Sequence, residues 1–152
     1  MLAAKTYLRT PDGEFIPVDE ARFAIQDPDY IEGALELSVN GVQILPLAYW
    51  DYVDQLWAYI VNMLEELRHS GTAATMLPDQ PIELSFTKKV PHSVLVQSAS
   101  KDETRSAITS MSELHSTLCE SGAEFFQAME RLVPESANFY ASERERILRI
   151  QQ

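Results

Sequence analysis

The chain reads as an α+β fold in which antiparallel β-hairpins and meanders pack against two long helices and a short C-terminal helix. Three observations lead there: strict alternation around the Asn40-Gly41 pair, helical spacing of apolar residues from Tyr49 to Ser70, and the same spacing again after Ser110. Alternation with period two is the repeat of a pleated strand, and recurrence at three, four and seven residues is the repeat of a helix.

At the N-terminus, Lys5 to Thr10 is followed by Pro11-Asp12-Gly13, which is turn chemistry, and by the short β-like run Glu14 to Val18. Pro17 removes a backbone donor, so this pair is expected at a sheet edge. Asp27-Pro28-Asp29 punctuates the chain before its clearest β signal. There Leu35, Leu37 and Val39 alternate with Glu36 and Ser38, and Asn40-Gly41 tolerates the positive φ angles of a type I′ turn. A two-residue turn fixes the register, so Val39 is expected to face Val42 and Leu37 to face Ile44.

The first long helix is expected over Tyr49 to Ser70. Val53, Leu56, Trp57, Ile60, Leu64 and Leu67 form its apolar stripe, and Asp51, Asp54, Ala58, Asn62 and Glu65 the opposite one. Asp51 and Asp54 suit the positive end of the helix dipole, Arg68 and His69 the negative end, and Gly71 a left-handed cap. Trp50, Tyr52, Tyr59, Val61 and Met63 widen the apolar arc beyond what one sheet face covers. A second contact surface is implied, supplied by a later helix of the chain or by a partner.

After the polar stretch that ends in Leu77-Pro78-Asp79-Gln80-Pro81, Ile82 to Thr87 and Val94 to Ala99 read as strands, and Arg105 to Thr109 as a short third. Ser110 and Glu113 have capping-box spacing ahead of a second long helix through Leu114, Leu118, Phe125, Met129 and Leu132, which should stop before Pro134. Ser142 and Glu145 repeat that spacing in a charged tail that reads as a short terminal helix. No composition shift marks a boundary, so residues 1–152 are expected to form one domain.

Charge narrows the function classes. With 12 basic and 23 acidic side chains the net charge is −11, which makes nucleic-acid backbones and anionic membranes repulsive at long range. No window resembles a secretory signal or a membrane span, and the single cysteine, Cys119, forbids an internal disulfide; a cytoplasmic protein is expected.

Catalytic signatures are missing. The five glycines are too scattered for a dinucleotide fingerprint, a phosphate loop or a nucleophile elbow, and neither the HExxH pattern nor a calcium loop occurs. His115 and Cys119 are four apart on the second helix, but a zinc site needs ligands that no spacing supplies, and a lone Cys is usually a small core residue. Asp27, Asp29, Glu32 and Glu36 are available for acid/base work, cation binding or recognition; His69 and His92 have simpler helix-end and loop explanations. No catalytic residue, metal or cofactor is therefore expected.

The sequence is read as a non-enzymatic, acidic protein-binding domain of the immunity or inhibitor type, covering a basic partner such as a bacterial toxin. Trp50, Tyr52 and Tyr59 would be its aromatic anchors, and Asp51 and Asp54 its steering charges. A homo-oligomeric structural or adaptor protein, self-complementary about a two-fold axis, is the alternative, and a small-molecule binder or enzyme whose site forms only in three dimensions a further one.

Overall fold

A computed structural model describes residues 1–151 and has the α+β architecture. The first sheet contains β1 (Leu2–Arg9), β2 (Phe15–Pro17), β3 (Glu32–Val39), β4 (Val42–Leu45) and the two-residue β5 (Asp51–Tyr52). Its order is β2-β1-β3-β4, with β5 also paired to β3; all pairings are antiparallel. Helix α1 (Val53–Ser70) leads into a second sheet, the simple meander β6 (Thr72–Met76), β7 (Glu83–Lys89), β8 (Ser93–Ala99) and β9 (Thr104–Ser110). Helices α2 (Met111–Leu132) and α3 (Ala137–Gln151) complete the fold. The short β2 lies at a sheet edge, as its proline requires.

The Asn-Gly hairpin forms, with φ of 49° at Asn40 and 86° at Gly41, and Val39 faces Val42. Beyond that the expected register fails: Leu37 pairs with Leu45 rather than Ile44, because a bulge intervenes between Leu37 and Ser38. The added residue lets Ile44 and Leu45 both be buried. It coincides with the junction of the two sheets, where the Ser98 hydroxyl donates to the Ile44 carbonyl at 2.6 Å and Arg105 donates to the Gln43 carbonyl at 3.2 Å. Tyr49 joins the same seam by donating to Glu103, which pairs with Arg105 at 3.0 Å.

Helix α1 begins at Val53, not at Tyr49. The residues ahead of it form a 3-10 turn (Leu47–Tyr49) and β5, where the backbone of Asp51 pairs with Gly33 and that of Tyr52 with Glu32. Free edge on β3 thus wins over helix extension. The far end matches expectation: Arg68 and His69 lie in the last turn and Gly71, at φ 77°, donates its amide to the Leu67 carbonyl.

The wide apolar arc is covered from within at Val61 and Met63, whereas Trp50, Tyr52 and Tyr59 stay part-exposed. Val61, Met63, Leu64 and Leu67 are buried in one core cluster with residues of both sheets and of α2 and α3. Fully buried Trp57 stacks on Phe125 at 6.2 Å, and its indole N–H donates to the Thr6 hydroxyl at 3.1 Å. Gly122 permits this approach, since a Cβ there would lie 3.0 Å from both the Trp57 ring and Ile147.

Three further elements depart from expectation. Strand β6 occupies a stretch read as polar loop, because an edge strand with only Ala73 firmly buried has almost no alternation to see. Ser110 caps α2 by accepting the Glu113 amide at 3.1 Å, but the Glu113 carboxylate accepts from Thr109 at 3.0 Å instead of closing the box. Helix α3 spans 15 residues and contains Ser142, which therefore caps nothing. It packs on what looked like the solvent stripe of α1: Arg146 bonds Glu65 and Asn62, while Arg144 clamps Glu130 of α2 at 2.7 and 3.1 Å. Among the described residues no helix is long and apolar enough to cross a membrane.

Candidate functional site

Strand β5 sorts the residues expected to meet a partner. Trp50 and Tyr52 lie two apart on an extended backbone and face outward, half-exposed, whereas Asp51 between them faces inward and is buried. The Asp51 carboxylate accepts the backbone amides of Tyr52 at 2.7 Å, Asp79 at 3.1 Å and Gln80 at 2.9 Å, and so holds the β6–β7 turn against the helix entry. Asp54 is buried as well: it accepts from the Gln55 amide at 2.9 Å and from the Tyr140 hydroxyl at 3.0 Å. Neither carboxylate is available to steer a partner, because both satisfy donors of their own chain. Tyr59, half-buried on α1, shares a stripe with Gln55, Asn62 and Glu66 and makes no ring contact with the other anchors.

Two residues that sequence patterning did not select complete the surface around Trp50 and Tyr52. The Arg9 guanidinium sits over the Trp50 ring at 4.2 Å and pairs with Glu32 at 3.0 Å. Tyr30, 59% exposed, packs on Tyr52 with ring centroids 5.4 Å apart. The grouping follows from strand register, since Gly33 pairs with Leu8 on one side of β3 and with Asp51 on the other, which brings the neighbouring Arg9, Glu32 and Tyr52 together. Only knowledge of the strand order would have exposed it. Beside these rings lies an open cleft of about 160 Å³, lined in part by Arg9, Phe23, Ile25, Asp27 and Tyr30.

The rim is acidic. Asp27 and Asp29 precede Tyr30 and are exposed, the former accepting the Asp29 amide at 3.0 Å in an Asx turn. Burial raises the Tyr52 pKa first of all, and the nearby carboxylates of Asp79 and Glu32 raise it further, so the phenol stays protonated and able to donate. Glu36 stands farther along β3, accepting from Tyr7 at 3.4 Å and from Gln43 at 3.5 Å.

The residues considered for catalysis are not brought together. His92 is exposed in the β7–β8 turn, His69 is exposed at the end of α1, and His115 lines a different cleft from Asp27. Burial lifts the Cys119 thiol to about 11, leaving it protonated and unreactive at neutral pH. Burial, and secondarily Arg68, lowers the His115 pKa and keeps its imidazole neutral. Among the described residues no three His, Cys, Asp or Glu side chains are grouped to hold a metal ion. No family model, curated protein or solved structure matches the chain.

Proposed function

We propose that the chain is a protein-binding domain that docks a basic surface of another protein onto the patch of Trp50, Tyr52 and Tyr30, as an immunity or inhibitor protein covers its toxin. The observation that carries this reading is the exposed Tyr30 ring packed on Tyr52 beside the acids Asp27, Asp29 and Asp79. Rigid aromatic rings with polar tips supply contact area at low entropic cost, and a surrounding rim of one charge sign guides encounter with the opposite sign. The net charge of −11 acts in the same direction at long range. Steering is assigned to Asp27, Asp29 and Asp79 in place of the enclosed Asp51 and Asp54.

The test is capture from the native host with the immobilised chain, run beside a Tyr30→Ala/Trp50→Ala variant. A basic polypeptide held by the first and lost by the second supports the reading; equal retention by both removes it.

A second reading, a homodimer, rests on the outward face of the second sheet. Thr87, Leu95 and Ile108 form one cross-strand row there, and Ser85, Gln97 and Ser106 the next, with Ile108 52% exposed. Two copies of a strongly acidic chain repel least where charge is absent. Light scattering at low micromolar concentration distinguishes the two: a dimer that Ile108→Lys dissociates favours self-association, and a monomer favours the foreign partner.

A further inference from the structure

A second cleft, remote from the aromatic patch, has the opposite electrostatic character. It opens where the C-terminal parts of α1 and α3 meet the start of α2 and strand β7, with a volume of about 250 Å³. Its floor is apolar: Leu64, Leu67, Leu114 and Ile150 are buried core residues, and half-buried Met111 closes one side. Its polar lining is Arg68, Lys88, His115 and Gln151, with no Asp or Glu. Among the described residues no carboxylate lies within ion-pair distance of Arg68 or Lys88. Arg149 and His69 line a groove that adjoins through Arg68 and Ile150 and also holds the Arg146–Glu65 ion pair, so cations outnumber carboxylates beyond the cleft as well. In a chain with almost twice as many acids as bases, 23 against 12, such a concentration of cations on apolar ground is the exception.

From this juxtaposition we infer that the cleft is a binding site for a small amphipathic carboxylate, its apolar tail against Leu64, Leu67 and Met111 and its anionic head between Arg68 and Lys88. The Arg68 guanidinium already donates to the Ile150 carbonyl at 2.8 Å, which fixes it at the end of α3 while its other N–H groups remain to donate. A dry apolar cavity of about 150 Å³ accepts benzene, so a space larger by roughly two-thirds suits a ligand of about ten non-hydrogen atoms. Half-buried His115 in the lining adds a hydrogen-bonding group.

Isothermal titration of the full chain with octanoate, which has about this size, provides the test, with octanol and octylamine as matched controls. Saturable one-to-one binding of octanoate is expected, roughly tenfold tighter than octanol, the usual weight of a charge-assisted contact. Lys88→Met, which leaves the Arg68 bond to α3 intact, should weaken octanoate several-fold and octanol little; Met111→Trp should fill the space and abolish both. Failure of octanoate to saturate at millimolar concentration, or an affinity no better than that of octylamine, overturns the assignment. So does octanoate binding that Met111→Trp leaves unchanged in a variant whose circular dichroism matches the wild type.

Discussion

The stretch from Trp50 to Asp54 holds two neighbourhoods that differ in everything except sequence position. Trp50 and Tyr52 point outward onto Arg9 and Tyr30, and Asp51 and Asp54 point inward onto amides and a phenol. Of these four side chains the two aromatic ones are thus the more exposed, and the two charged ones are buried. The difference teaches that unpaired backbone donors can outrank hydrophobicity in deciding which side chain turns in. The amides of Asp79 and Gln80 need an acceptor where they meet the helix entry, and Asp51 supplies it.

The comparison breaks most visibly at Asp51. Asp51→Ala leaves three part-buried amides without their charged acceptor and should destabilise the fold by about 3 kcal/mol in urea unfolding, since a hydrogen bond to a charged group is worth more than a neutral one. A loss under about 0.5 kcal/mol, the range of an ordinary surface substitution, would place Asp51 outside. Next in size, Gly122→Val pushes into Trp57 and Ile147 and should cost about 2 kcal/mol through overpacking. By contrast Tyr30→Ala, at an exposed ring, should stay within about 0.5 kcal/mol of the wild type.

Asp54 sharpens the same contrast through pH. Burial raises its folded pKa above the ordinary value of 3.8, against the lowering effect of the Tyr140 and Gln55 bonds, so the folded state binds the proton more readily than the unfolded state. Its contribution therefore favours folding as pH falls through the raised pKa, is complete below the unfolded value, and is lost as the group ionises on the way back to neutrality. Relative to Asp54→Asn, which does not titrate, the wild type should gain stability between pH 7 and pH 4; a wild type that loses stability relative to the variant over this window would contradict the burial of an ionisable Asp54.

Sequence patterning made most of the fold legible because its signals are local. The Asn40-Gly41 turn, the Gly71 cap, the Ser110 cap and the apolar stripes of α1 and α2 each reflect interactions within a few residues. What it missed depends on distant partners. The bulge beside Leu37 answers to Ser98 and Arg105 in the other sheet, β6 is held by β7, and the length of α3 reflects pairing of Arg144 and Arg146 with two other helices. The candidate surface was half visible: Trp50 and Tyr52 stood out as surplus aromatics, but Arg9 and Tyr30 reach them only through the order of β1, β3 and β5. Asp51 turns inward, against its helical spacing, because a free strand edge captures the residues ahead of Val53.

Acrylamide quenching of tryptophan fluorescence tests the division of this segment most directly, because the two tryptophans, Trp50 and Trp57, fall on opposite sides of it. The wild type should show one accessible and one protected component, and Trp50→Phe should leave only the protected emission of Trp57. An accessible component that survives in Trp50→Phe, or a wild type with both rings equally shielded, would contradict the outward placement on which the proposed binding surface depends.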